Sequence, residues 1–502
     1  MGMYIELDRQ GEVPLYQQIR NFLKEQILRG SLPPGSRLPS TRSLARRLGV
    51  ARITVQEAYD ELISEGLLTA HVGRGTFVLG PEASHPAPSP PPEPPWEVSP
   101  SRLSTRAILR DMLRMAASRD ILSFAAGVPA PEFFPVEGLR RAINWVLRRE
   151  GVSALQYDVP EGLLLLRQAI SRHLSEMGIA AAPEAILITS GTQQAIDLVA
   201  RTLVEPGDAV VLESPTYIGA IDVFEARGAK ILAVPVDEEG MRVEALKPLL
   251  VRYRPRLIYT IPTFHNPSGS SMSLEHRRQL LALAMEYAVP ILEDDAYSEL
   301  YYRESPPPPL RSLDTSGHVI YLGGFSKTLF AGLRFGYMVV PEGLRERLTY
   351  AKQTADLHTS SLIQWAVLEF IRREGIHTYL RRIRAACLAR RDAMARSMEV
   401  HFPPGVQWSL PQGGLYFWVK LPREVTAFEV FFQGLARGVA VAPGPAFFPD
   451  RSGEEYIRLN FSLHPPERIE EGIRKLGETV GFLLEKARRA EPRRQRVPAA
   501  LL

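Results

Sequence analysis

One cysteine, Cys387, occurs in the 502 residues. An internal disulfide and a cysteine-built metal cage are therefore excluded. Set in an arginine-rich helical stretch, Cys387 reads as a structural thiol, and no metal is expected. No apolar run reaches the twenty or so residues needed to span a bilayer. The first residues, Met-Gly-Met-Tyr-Ile-Glu-Leu-Asp, lack a basic-then-apolar export signal. An excess of one charge sign is missing too. Sixty Lys and Arg face 56 Asp and Glu, so net charge alone argues for no nucleic-acid partner. With 45% hydrophobic residues, the composition is that of a cytoplasmic, non-membrane globular chain with room for more than one domain.

Proline is plentiful but concentrated. Residues 81–100 (PEASHPAPSPPPEPPWEVSP) are nearly half proline and carry no apolar period. They predict a stiff polyproline II spacer of about 3 Å per residue, on the order of 60 Å at full extension, and hence a domain boundary.

Before that spacer, Pro14–Arg29 places Leu15, Ile19, Phe22, Leu23, Ile27 and Leu28 on one helical stripe. A break at 30–35 follows, and Ser40 stands as N-cap of a short helix that Gly49 closes. A further helix is predicted over about Ile53–Ser64. Two short strands around Gly73-Arg74-Gly75 complete a wing with Arg74 at its tip. In this order the pieces resemble the GntR-type winged helix-turn-helix, carried by LPSTRSLARRLGVARITV from Leu38 and by Gly73-Arg-Gly-Thr-Phe-Val. The resemblance implies a domain over residues 1–80 that binds a double-stranded DNA operator. The Ile53–Ser64 helix would lie in the major groove, with Arg52 and Thr54 at its leading end. Ser40, Thr41 and Arg42 would meet the backbone. Ala51 stands where that family usually has Ser, so one hydrogen bond is expected to be missing.

From residue 101 to about 490, near-continuous hydrophobic strands alternate with amphipathic helices, as in a mainly parallel sheet buried on both faces. Ligands of such sheets sit beyond the carboxyl ends of the strands. Ser190-Gly-Thr192-Gln193 opens a helix after the first strand and suits a phosphate. Tyr217 follows the second, placed to stack on a flat ring. Asn266 follows Ile258-Tyr-Thr-Ile-Pro, and Asp294 with Tyr297 follows Ile291-Leu-Glu. Ser326, Lys327 and Arg334 follow Val319-Ile-Tyr-Leu. A lysine between two strands, short of solvent, loses its proton more easily and becomes nucleophilic, as a Schiff-base lysine must. Phosphate cup, ring stacker, carboxylate, lysine and arginine are together the set a pyridoxal 5′-phosphate site needs.

Residues 101–490 resemble fold-type I aminotransferases of class I/II, and the whole chain resembles the MocR subfamily of GntR regulators. The resemblance implies an α/β pyridoxal-phosphate-dependent transferase domain with a smaller α+β subdomain, preceded by the α+β winged domain. Lys327 would hold the cofactor as internal aldimine, Asp294 would keep the pyridine nitrogen protonated, and Tyr217 would stack on the ring. Asn266 and Tyr297 would bind the ring hydroxyl oxygen. Thr192, Gln193, Ser326 and Arg334 would hold the phosphate. Arg458 would clamp a substrate carboxylate beside Asn266, and Tyr157 would reach the cofactor of a partner subunit in a homodimer. Gly324 replaces the hydroxyl residue usual three positions before the lysine, which weakens the expected phosphate grip. The function implied is a DNA-binding regulator that senses pyridoxal phosphate or an amino compound; the alternative is an active amino acid aminotransferase. The basic segment Glu485–Arg496 is expected to be a solvated tail, set apart as residues 491–502.

Overall fold

The computed structural model describes residues 5–9, 11, 13–71, 75–79 and 121–490. Arg74, the spacer 81–100 and the tail 491–502 lie outside them. The chain divides into two compact units, 1–103 and 104–502.

In the first unit, helix Leu15–Leu28 buries Ile19, Leu23 and Ile27, one side chain per turn. Leu28, expected on that stripe, is 68% exposed because the chain turns away at Gly30 (φ 73°). Ser40 caps helix Thr41–Leu48 by accepting from the Ser43 N–H at 3.2 Å. Gly49 ends it in the left-handed conformation, φ 63°, which a side chain would strain. Arg9 closes the turn by donating to the carbonyls of Leu48 and Gly49 at 3.2 and 3.0 Å. The next helix, Arg52–Ser64, packs inward through Val55, Ala58, Tyr59 and Leu62, and its N-cap Ala51 makes no side-chain bond. Strands Leu68–His71 and Gly75–Val78 pair antiparallel as the wing. The preceding segment joins them: Leu38 N–H donates to Thr76 O and Val78 N–H to Ser36 O, both at 2.9 Å.

The second unit is built on an eight-stranded sheet. Its spatial order is Ile186–Thr189, Gly336–Val339, Val319–Gly324, Ile291–Asp295, Leu257–Thr260, Ala209–Ser214, Lys230–Asp237, Gly240–Met241. All neighbours pair in parallel except Gly336–Val339 and Gly240–Met241, which run against theirs. Strands Ile186–Thr189, Gly336–Val339, Ile291–Asp295 and Leu257–Thr260 are buried at every residue, and Val319–Gly324 and Ala209–Ser214 at all but their ends, as the apolar runs require. Lys230–Asp237 departs from that expectation and alternates, with Leu232 and Val234 buried between exposed neighbours. Only a two-residue strand lies beyond it, so one of its faces meets solvent.

A smaller antiparallel sheet, ordered Gln407–Trp408, Tyr416–Lys420, Tyr456–Asn460, Ala442–Pro443, forms a subdomain. Helix Pro466–Ala490 packs against helices Ile376–His401 and Ala427–Ala436. It takes in residues 485–490 of the basic segment, which are helical and not a solvated tail. Buried Leu483 and Leu484 anchor the last turns, and an Arg489–Glu485 pair one turn apart, 3.4 Å, supports them. Cys387 is fully buried, and burial pushes its thiol up to about 12. Among the described residues, no helix is long and apolar enough to cross a membrane.

Candidate cofactor site

Strand pleating decides which of two adjacent carboxylates faces the site. Asp294 and Asp295 both lie in strand Ile291–Asp295 and point to opposite sides. Asp295 accepts from Tyr321 OH at 2.9 Å and from Ser298 N–H at 3.1 Å. Asp294 faces the other way: its Oδ2 accepts from Tyr259 OH at 2.8 Å, and its buried Oδ1 has no hydrogen-bond partner. Burial, with smaller help from the charges of Asp295 and Glu213, pushes the Asp294 carboxyl up to about 6. A carboxylate left this way accommodates a cationic N–H donor.

Across the cleft, Lys327 donates to the Gly127 carbonyl at 2.6 Å. It is half-buried, less withdrawn from solvent than its place between two strands suggests. Gly127 is a point of convergence. A Cβ there would meet Tyr416 OH at 3.0 Å and both Lys327 Nζ and Arg458 Nη2 at 4.0 Å. Arg458, 6% exposed, donates to Asn266 Oδ1 and to the Ala125 carbonyl, each at 2.8 Å. Its guanidinium lies over the rings of Tyr416 and Phe447, while Nε has no partner. Asn266 in turn donates to Tyr297 OH at 3.4 Å, and the Tyr297 and Tyr416 hydroxyls are 3.3 Å apart. Burial alone would push both phenols up, and Tyr297 does rise. For Tyr416 the Lys327 and Arg458 charges outweigh burial, and its phenol falls below the usual tyrosine range. Tyr217 completes this side: burial, then the Asp294 charge, pushes it up to about 12.

At the other end, helix Thr192–Leu203 begins after Gly191, whose φ of 97° glycine alone adopts easily. The first amides of a helix lack partners within it. Arg334, exposed and itself at a left-handed φ of 51°, crosses this end, with Nη2 2.8 Å from where a Gly191 Cβ would stand. Gln193 turns its amide to the Gly219 carbonyl at 3.0 Å and leaves Oε1 unpartnered. Ser326 is half-buried beside Lys327. At Gly324 a Cβ would find only ordinary contacts, the nearest 3.4 Å away, so packing does not demand glycine there.

The structure thus brings together Lys327, Asp294, Asn266, Tyr297, Tyr217 and Arg458, with Thr192, Gln193 and Arg334 at the helix end and Ser326 next to Lys327 in the chain. It leaves Tyr157 apart: 78% exposed, its ring stands edge-on to His358. In the first unit Ser40, Arg42 and Arg52 are exposed, while Thr41 and Thr54 are half-buried. Arg74 is outside the described residues.

Sequence reasoning missed several contributors. Tyr416 could have been suspected from Gly413-Gly414, which pack so close to the Phe264 ring that a Gly413 Cβ would lie 2.4 Å from it. Glu213, fully buried, accepts from Thr260 Oγ1 and Ile261 N–H at 2.7 and 2.8 Å and lies 3.3 Å from His265, fixing the segment that carries Asn266. Buried Lys352 pairs with Asp356, which accepts from Gln194 Nε2 at 2.7 Å and Ser190 Oγ at 3.3 Å, bracing the helix end. Arg37 lies over Gly75 at the base of the wing.

Residues 119–476 match the aminotransferase class I and II family, and residues 15–78 match the gntR family of bacterial regulatory proteins. The HTH-type transcriptional regulator YisV of Bacillus subtilis is 34% identical, over 95% of this chain and 98% of its own. The probable rhizopine catabolism regulatory protein MocR of Rhizobium meliloti is 32% identical, over 94% of each. The crystal structure of LysN, an alpha-aminoadipate aminotransferase of Thermus thermophilus, superposes with a TM-score of 0.71 at 40% identity, over 75% of this chain and 95% of that one. Pyridoxal 5′-phosphate is the cofactor this family indicates. The residues fit it, since a partnerless buried Asp294 oxygen, a converging lysine and a helix N-terminus crossed by an arginine suit a ring nitrogen, a carbonyl and a phosphate. The chain belongs to the aminotransferase class I and II family and, with its N-terminal gntR-family domain, has the MocR-type architecture.

Proposed function

We propose that this protein is a cytoplasmic transcription regulator that binds operator DNA through its winged domain and reads the state of a pyridoxal 5′-phosphate site in its large domain. One observation carries this reading: a winged helix-turn-helix and a residue cluster suited to the cofactor share one chain. A catalyst alone has no use for the former.

When bound, the cofactor supplies a carbonyl that exchanges with amines and a ring that withdraws electrons. The chain's own residues do the rest. Lys327 would bind the carbonyl carbon, and Asp294 would keep a proton on the ring nitrogen, whose N–H supplies the donor that Oδ1 lacks. Tyr217 would cover the ring, while Asn266 and Tyr297 would bind its hydroxyl oxygen. Thr192, Gln193, Ser326 and Arg334 would hold the phosphate. Arg458, already oriented by Asn266 and Ala125, receives the carboxylate of an amino compound as a bidentate partner. Tyr157, exposed on its own protomer, reaches the site of a second copy in a homodimer.

On the DNA side, Arg52 and Thr54 meet the major groove, and Ser40, Thr41 and Arg42 the phosphates. Arg37 and Arg74 act at the wing. Ile53, 63% exposed at the leading end of its helix, offers an apolar contact to a thymine methyl. Residues 81–100 serve as the spacer between the domains. Sensing requires that ligand binding favour one arrangement of the dimer over another. Binding of the full chain to its operator, with and without cofactor and amines, tests this. Affinity and footprint identical under all conditions would overturn it.

The intact cluster, and the 40% identity to an aminotransferase, favour a second reading, in which the large domain transfers amino groups. Loss of the cofactor's visible absorbance on adding amino acids, restored by 2-oxo acids, would support it.

A further inference from the structure

We propose a divalent-metal site of the zinc class, formed by His173, Glu176 and His377, away from the cofactor cluster. His173 and Glu176 lie one turn apart on helix Leu164–Glu176, and His377 begins helix Ile376–His401. Their ligand atoms lie within 4.8 Å of one another, in the only such group of three among the described residues. His377 Nε2 is 2.9 Å from Glu176 Oε2, and His173 Nδ1 is 3.9 Å from the same oxygen. The second distance is too long for a hydrogen bond. Two ligands on one tetrahedral zinc, each bound at about 2.1 Å, stand about 3.4 Å apart, between the two observed values.

The surroundings support ligation. His173 is 7% exposed, and its other nitrogen, Nε2, faces Glu299 Oε1 at 3.2 Å. That nitrogen is buried without a hydrogen-bond partner, and a ring bound through Nδ1 would turn its Nε2–H to this carboxylate, the arrangement that fixes a metal-binding imidazole. The Glu299 backbone is held in turn: Arg384 donates to its main-chain carbonyl at 2.6 Å and stacks on Tyr301. Arg384 is the one cation lining the adjoining cavity, about 390 Å³, whose walls include Tyr301 and Pro306–Pro309. Two histidines and one carboxylate leave a fourth position for water on this side. A bound ion would tie the helix that packs on the large sheet to the long helix of the subdomain. The sequence hides the site because His377 is remote from His173-x-x-Glu176.

The test uses the untagged, cofactor-loaded full chain, stripped with a chelator and titrated with Zn²⁺ and then Co²⁺, which reports coordination by its visible bands. One ion per chain is expected, with Mg²⁺ failing to compete. His377→Ala and Glu176→Gln, both at exposed positions that leave the core intact, should abolish stoichiometric binding. Glu299→Gln should weaken it about 10- to 100-fold. His276→Ala, which removes a histidine paired with Glu239, should change nothing. No stoichiometric binding, or binding unchanged in both His377→Ala and Glu176→Gln, would overturn the proposal.

Discussion

Replacing Asp294 by Asn should remove one part of the pH dependence of the cofactor-free protein's stability. In the folded chain burial raises this carboxyl from 3.8 to about 6, so the native state keeps its proton to higher pH than the unfolded chain does. The favourable contribution is therefore complete below 3.8 and is lost as pH rises through about 6. That interval corresponds to about 3 kcal/mol. Asparagine keeps an oxygen for Tyr259 OH but puts an amide where Oδ1 has no partner, costing about 1 kcal/mol at every pH. Asp294→Asn should thus be slightly less stable than the parent near about pH 4 and about 2 kcal/mol more stable near about pH 8. Glu293, raised by burial to about 7, is common to both proteins and cancels in the comparison. Urea unfolding followed by tryptophan fluorescence isolates the large unit, since no tryptophan lies in residues 1–80. With cofactor bound, a protonated ring nitrogen compensates Asp294, and the parent should be the more stable protein at about pH 8. Parallel stability curves for the two cofactor-free proteins would refute the account of Asp294 as a carboxylate awaiting a cation.

Three further outcomes follow from the packing. Asp356→Ala strands the buried Lys352 ammonium and should cost about 3 kcal/mol; Lys352→Met added to it should recover most of the stability in urea unfolding, while cofactor affinity stays reduced because Ser190 and Gln194 have lost their brace. Cys387, buried and raised to about 12, should resist iodoacetamide in the native protein at mildly alkaline pH and react on unfolding, as mass spectrometry would show. Gly49→Ala forces a side chain into a left-handed turn and should cost the winged domain about 1 kcal/mol, seen as an earlier circular-dichroism melt and weaker DNA binding, with the absorbance of the large domain unchanged.

Much of the site was legible because it follows local rules. Lys327, Asp294, Asn266 and Thr192 each sit at a strand's carboxyl end, and parallel-sheet geometry gathers those ends. Ser40 and Gly49 were legible for a similar reason, since a cap and a left-handed turn are properties of a few adjacent residues. Errors arose where burial depends on what lies beyond the element: Leu28 at a helix end, Lys230–Asp237 near a sheet edge, residues 485–490 on a helix anchored by the core. Partners brought together from distant segments left no periodic trace, so Gly127, Tyr416, Glu213 and the Lys352–Asp356 brace emerge only in three dimensions. By itself, then, the sequence determined the strand-end chemistry and the winged domain, through short-range spacing. Tertiary structure alone decided which of Asp294 and Asp295 faces the site, that Tyr416 stands between Lys327 and Arg458, and that His377 meets His173. Those relations depend on pleat direction and on packing between elements far apart in the chain.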